Sequence, residues 1–125
     1  EAEAYDGPSL ILAYSHCIAH GIDMKKGLDQ QYMAVNTGHW PLMRYNPVLR
    51  NEGRNPFLLD SPRPRIPLAK YHEKELRFRM LQNSDPETAA RMLKTGQEHV
   101  WRRYRDYEQM AGRSAEEFAT DARSE

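Results

Sequence analysis

The run Leu10-Ile11-Leu12-Ala13, at the centre of Ser9–Ser15, constrains this chain more than any other feature. It is apolar without alternation. That is the pattern of a strand buried on both faces, as in the parallel sheet of an α/β domain. Such a strand needs neighbours on either side and layers above and below it, and the sequence offers no second strand of that kind. The chain also does not begin with Met. Both features lead to the expectation of a piece of something larger. Material for an independent core is thin. The 125 residues suffice for one domain, yet only 39% are hydrophobic and the mean hydropathy is -0.88. A domain of this size buries roughly two-thirds of its unfolded surface. A doubly buried strand without its sheet should associate, so the segment is expected to fold poorly by itself.

The rest of the chain reads as helices, turns and a connector. Glu1-Ala2-Glu3-Ala4-Tyr5 resembles a last helical turn, stopped by Asp6-Gly7-Pro8. Met24, Leu28, Gln31 and Val35 share a helical face over Met24–Thr37, with Gly27 a weak point and Gly38 the stop. Trp40–Pro47 and Phe57-Leu58-Leu59 are expected to pair as a hairpin around a polar turn at Asn51–Asn55. Arg44-Tyr45-Asn46-Pro47-Val48-Leu49 and Arg54-Asn55-Pro56-Phe57-Leu58-Leu59 echo each other, too briefly to form a repeat array. Pro62, Pro64 and Pro67 force an extended connector over Ser61–Pro67. A helix is expected over Leu68–Leu81. Ser84-Asp85-Pro86-Glu87 is a capping box opening a second one that runs to Ala111. Its inner face is Ala89, Leu93, Gly96, Val100, Tyr104, Tyr107 and Ala111, with Gly96 marking a close backbone approach. Gly112 ends it, and Ser114-Ala115-Glu116-Glu117 can start a short helix to Ala122.

Cys17 is the first residue that could carry chemistry. It follows the C-terminal end of the expected strand, the edge where ligands gather in open α/β sheets. His16, His20 and Asp23 are its neighbours. Cys-x-x-His is half of a metal site: structural zinc takes four ligands, and an iron–sulfur cubane takes four cysteines. The chain has a single cysteine, so further ligands would have to come from elsewhere. The alternative is a small residue packed beside a sheet, with one histidine packed and the other hydrogen-bonded.

A second feature is the arginines Arg63, Arg65, Arg77, Arg79, Arg102, Arg103 and Arg105, interleaved with Tyr104 and Tyr107. Basic–aromatic interleaving can bind nucleic acid. Here Glu73, Glu75, Glu98, Asp106 and Glu108 can pair with the cations at helical spacing, which favours a solvated face. With 18 basic and 18 acidic residues the net charge is +0, so no basic excess marks a nucleic-acid partner. One cysteine forbids an internal disulfide. No apolar run approaches the ~20 residues of a membrane helix, and no secretory leader is visible. Phosphate-loop, dinucleotide, serine-elbow and zinc-protease motifs are all missing. No catalytic residue is assigned.

Glu1 through Gly21, with Cys17 near its end, resembles the C-terminal region of pyruvate:ferredoxin (flavodoxin) oxidoreductases. The likeness continues through Gly27-Leu28-Asp29-Gln30-Gln31, Trp40-Pro41-Leu42, Arg44-Tyr45-Asn46-Pro47, Asn55-Pro56-Phe57 and Leu59-Asp60-Ser61. It weakens from Arg77 to Met80 and is expected to fade after Gly112. The resemblance implies an α/β fold, the end of a parallel-sheet domain that binds thiamine diphosphate, with one buried strand, a short hairpin and covering helices. Residues 1–61 would end that thiamine-diphosphate and cluster domain, 62–112 would be the connector and covering helices, and 113–125 a C-terminal tail.

The family resemblance further implies an enzyme that oxidises pyruvate with coenzyme A to acetyl-CoA and CO2, passing electrons through [4Fe-4S] clusters to ferredoxin or flavodoxin. It makes Cys17 one ligand of the cluster nearest thiamine diphosphate, with the other ligands outside this segment. His16 and His20 are possible hydrogen-bonding neighbours of that cluster. The Gly-Asp-Gly type motif for thiamine diphosphate and magnesium is missing here, so the segment alone is expected to be inactive. A cytoplasmic, homodimeric parent is implied, without nucleic acid or membrane. The competing reading is a stand-alone helical interaction module or split subunit without catalytic activity.

Overall fold

The computed structural model describes residues 1–117. Its regular elements are α1 (Gly27–Asn36), β1 (Met43–Tyr45), β2 (Phe57–Leu59), α2 (Leu68–His72), α3 (Leu76–Ser84) and α4 (Pro86–Gly112), with 3-10 turns at Ile18–His20, Met24–Lys26 and Pro47–Glu52. The strand expected at Ser9–Ser15 does not form. Those residues pair with no strand, and Leu10, Ile11 and Leu12 are 83%, 75% and 74% exposed. The cause is the one that made the run conspicuous: among the described residues the only sheet is β1–β2, and its pairing is antiparallel. Glu1–Tyr5 is a turn rather than the end of a helix.

The hairpin forms where expected, with Met43 opposite Leu59 and Tyr45 opposite Phe57. Its turn is more ordered than a polar loop. The Asn46 side chain accepts from Val48 N (3.1 Å) and opens the 3-10 turn Pro47–Glu52. The echoed Asn55 accepts from Phe57 N in the same way (2.8 Å). Two Asn-Pro dipeptides thus make the same local turn, each satisfying a backbone donor next to a proline that has none. Asn55 also donates to Met110 O (2.9 Å) and Ala111 O (3.0 Å), occupying carbonyls that the end of α4 leaves open.

Helix α1 stops at Gly38, whose φ of +73 is left-handed. A Cβ there would lie 2.6 Å from Pro64 Cγ and 2.7 Å from Val100 Cγ1, so the connector and α4 close over this glycine. The connector is extended and pairs back on α1 through Arg65 N to Asn36 O (3.1 Å). Asp85, not Ser84, caps α4, accepting from Thr88 N (3.0 Å). Val100 and Tyr104 are buried on its inner face. Gly96 does face a neighbour at close range, but the neighbour is the Leu68 side chain rather than backbone. The box at Ser114 is reciprocal: Glu117 N donates to Ser114 Oγ (3.3 Å) and Ser114 N to Glu117 Oε2 (2.7 Å). The helix end expected at Ala122 lies outside the described residues.

The helix expected over Leu68–Leu81 is broken into α2 and α3. Glu75 is extended at the break (φ -116, ψ 125) and 0% exposed. No Gly or Pro marks the interruption. Burial of a carboxylate does: Gln30 and Tyr71 hold it from inside and Arg77 from the surface, as described below. The core itself is small, centred on Ala34, Leu68, Tyr71 and Val100, with Tyr14, Met33, Trp40, Phe78 and Leu93 packed against it. The accessible surface is 9225 Å², against roughly 6,900 Å² for a compact monomer of this mass. The excess reflects how little apolar surface this small core buries.

Candidate functional site

Cys17 is a free, exposed thiol at the mouth of a tight turn. Its backbone is extended (φ -139, ψ 141), and its carbonyl accepts from His20 N (3.0 Å). Gly21 closes the turn with φ +67, its N–H bonding Ile18 O (2.9 Å). The glycine is required twice over. Its φ disfavours any other residue, and a Cβ would lie 2.2 Å from Leu76 Cβ. Leu76 N also donates to Gly21 O (3.3 Å), which fastens the turn to the start of α3.

The two histidines are differently placed. His16 Nδ1 accepts from the Gln31 side-chain amide (3.0 Å), so its proton is on Nε2. That nitrogen presses against Gly27, where a Cβ would sit 2.2 Å away. Gly27, a weak point by helix propensity, is therefore the space into which His16 packs. His20 Nδ1 is buried and has no hydrogen-bond partner. The structure brings His16, Cys17 and His20 onto one turn. Asp23 instead caps the next 3-10 turn through Lys25 N (3.0 Å). Among the described residues no three His, Cys, Asp or Glu side chains gather as a metal site.

Behind the turn lies a polar network that sequence reasoning missed. Glu75 accepts from Gln30 Nε2 (3.0 Å), pairs with Arg77, and bonds the Tyr71 hydroxyl. Burial raises its pKa, but these donors outweigh burial and hold the carboxyl below its usual range. An ionised carboxylate only accepts, so Tyr71 donates to it. The Tyr14 hydroxyl then donates to Tyr71 across 2.6 Å. Burial, followed by these hydrogen bonds, raises the Tyr71 phenol well above its normal value. Tyr14 also stacks on Trp40 (5.1 Å between centroids) and meets His39 edge-on (5.6 Å). His39 stacks on Tyr71 at 4.3 Å, and burial pushes its pKa down to about 4. Glu75 was grouped with the solvated acids by helical spacing, and that reading is corrected. Charge pairing with the helix-break geometry gave no local signal for it.

The tyrosines of the arginine–tyrosine face are committed inward, whereas Arg63, Arg65, Arg77, Arg79, Arg102 and Arg105 are exposed, as expected for a solvated face, and only Arg103 is half-buried. Tyr104 is 6% exposed and donates to Ser61 O (3.0 Å). Tyr107 lies against Phe57 (5.9 Å). Arg103 donates to Gly38 O (2.6 Å) and His39 O (2.8 Å), and Arg63 grips Glu108 (2.7 Å). Helical i,i+4 pairing, expected for this face, gives way to these bridges between distant segments.

No protein-family model matches the chain. Curated proteins do. A pyruvate-flavodoxin oxidoreductase from Nostoc is 48% identical over 113 residues, 90% of this chain and 9% of that protein. The chain is homologous to one segment of the pyruvate-flavodoxin and pyruvate:ferredoxin oxidoreductases. The pyruvate:ferredoxin oxidoreductase of Moorella thermoacetica is 41% identical over 89% of the chain and 10% of its own length. A probable pyruvate-flavodoxin oxidoreductase from Escherichia coli is 43% identical over 121 residues, 97% of the chain. A match of that extent runs past Gly112, where the likeness was expected to fade. The chain spans about a tenth of the length of the curated relatives it matches. By their names these relatives are oxidoreductases, and the chain matches one segment of them.

Proposed function

We propose that the chain is the covering and cluster-holding end of an enzyme that oxidises pyruvate with coenzyme A to acetyl-CoA and CO2 and delivers electrons to ferredoxin or flavodoxin. In this reading Cys17 is one thiolate ligand of a [4Fe-4S] cluster whose other ligands come from the rest of the parent chain. The observation that carries it is the exposed thiol of Cys17 on a turn braced from both sides, in a chain 48% identical to a pyruvate-flavodoxin oxidoreductase. The donor set fits one ligand and no more, since no further ligand cluster occurs among the described residues. Such a cluster, when bound, accepts one electron at a time.

The chain's own residues supply position. The turn Ile18–His20 holds Cys17 outward, and Gly21 anchors it to α3. His20 Nδ1, buried and unpartnered, is the histidine suited to donate toward a cluster sulfur, whereas His16 is committed to Gln31. The exposed Leu10-Ile11-Leu12 run enters a parallel sheet of the thiamine-diphosphate domain, where burial on both faces removes its surface from water. Among the described residues no group of three His, Cys, Asp or Glu side chains fits the magnesium of thiamine diphosphate. The parent is a cytoplasmic homodimer in this reading. The test is pyruvate- and coenzyme-A-dependent reduction of flavodoxin or ferredoxin by the full-length parent and its Cys17→Ala variant. Loss of reduction in the variant with unchanged expression supports the role, and full activity refutes it.

A further inference from the structure

We propose that Glu75 and Tyr71, at the break between α2 and α3, are positioning residues for Cys17, acting through Tyr14 on one side and Gly21 on the other. The segment Pro8–Cys17 has no secondary structure and no strand partner. Leu10, Ile11, Leu12 and Ile18 are all at least 72% exposed, so their own apolar surface does not hold it. Besides the His16–Gln31 hydrogen bond and the Tyr14–Trp40 stack, two points tie it to the break between α2 and α3. Three residues before Cys17, the Tyr14 hydroxyl reaches Tyr71 at 2.6 Å. Four residues after it, Gly21 O accepts from Leu76 N at 3.3 Å, with Cα packed against Leu76 Cβ. Tyr71 and Leu76 bracket Glu75, whose carboxylate takes the Tyr71 hydroxyl, Gln30 Nε2 and Arg77. The donor order is thus Tyr14 to Tyr71 to Glu75, with the buried negative charge fixing every proton in it. The buried carboxylate therefore acts on the Tyr14 end through Tyr71, and on the Gly21 end through the chain break that places the Leu76 backbone N–H. This also explains why a helix with no breaker in its sequence is broken at Glu75. A continuous helix there would remove the extended residue that turns the carboxylate inward.

The functional consequence rests on the reading of Cys17 as a cluster ligand, but the positioning itself does not. The experiment uses the full-length holoenzyme and the variants Tyr14→Phe, Glu75→Gln, Cys17→Ala and, as a control, Tyr32→Phe, whose side chain is 64% exposed. Iron content, the rate of iron transfer to a chelator, and backbone hydrogen exchange are measured on each. Loss of one buried charge-linked hydrogen bond corresponds to about tenfold in local opening. Tyr14→Phe and Glu75→Gln are expected to retain iron as purified, yet to show about tenfold faster exchange in residues 14–21 and about tenfold faster iron loss. Tyr32→Phe should match the parent. Unchanged exchange in residues 14–21 of Tyr14→Phe overturns the proposal, as does an increase spread equally over α4, which marks general destabilisation. Full iron in Cys17→Ala refutes the ligand reading instead, and the exchange of Tyr14→Phe still decides the positioning.

Discussion

Replacing Gly21 by alanine isolates the bracing of the Cys17 turn. At φ +67 an L-residue costs about 1–2 kcal/mol relative to glycine. The added Cβ also meets Leu76 Cβ at 2.2 Å. Two β-carbons cannot rotate away from each other as side-chain tips can, so the turn must lift off α3. Lifting breaks the Gly21–Leu76 backbone hydrogen bond, a further ~1 kcal/mol. The sum is about 2–3 kcal/mol, on the order of a hundredfold in local opening. Gly53 is the internal control: its φ is also +67, and nothing lies within 4 Å of its would-be Cβ. Gly53→Ala should cost only the backbone part. The assay is hydrogen exchange in the full-length parent, read over residues 17–22 for the first variant and 47–54 for the second. Equal increases for the two would refute the contact with Leu76 as the brace.

Two further outcomes follow from the same structure. His39 is held neutral by burial, with a folded pKa of about 4 below the ordinary value near 6.5. A depressed pKa stabilises the fold fully above the ordinary value, and that contribution is lost as pH falls toward the folded one. Stability should therefore decline between about pH 6.5 and pH 4. Glu75, also depressed, adds its loss below the usual carboxylate range. An imidazole titration of His39 by NMR with a midpoint near 6.5 would contradict the buried assignment. The 125-residue chain in isolation should self-associate through Leu10-Ile11-Leu12. Sedimentation of Leu10→Lys/Leu12→Lys should show a return toward monomer, and a monomeric unsubstituted chain with a sharp cooperative melt would oppose this.

What could be read from the sequence was governed by range. The hairpin, the extended connector and α4 follow from signals within a few residues: Asn46-Pro47, Asn55-Pro56, the three connector prolines and Asp85-Pro86. Each fixes φ or satisfies a nearby donor, so the local choice agrees with the fold. The break at Glu75 was not legible, because its cause is a set of partners at Gln30, Tyr71 and Arg77 rather than any breaker at the site. Tyr14 and Tyr71 meet across 57 residues, beyond any periodicity. Gly27 was legible only as a cost to helix α1, since its use depends on where His16 packs. The apolar run at Leu10 read as a buried strand, and that expectation fails: the run is unpaired and exposed, beside a sheet of two strands among the described residues. Cys17 was singled out as a residue that could carry chemistry, but the strand expected to lead into it does not form and the thiol is exposed rather than packed beside a sheet, while the histidines beside it separated only in three dimensions.

The central claim is that Cys17 is one ligand of a cluster completed by the rest of the parent enzyme. Its most direct test is anaerobic determination of iron and acid-labile sulfide, with electron paramagnetic resonance of the dithionite-reduced protein, on the full-length parent and its Cys17→Ala variant. The account predicts that the variant loses the iron, the sulfide and the resonance of one cluster while the remaining signals persist. An unchanged iron count and spectrum would return Cys17 to an ordinary exposed thiol.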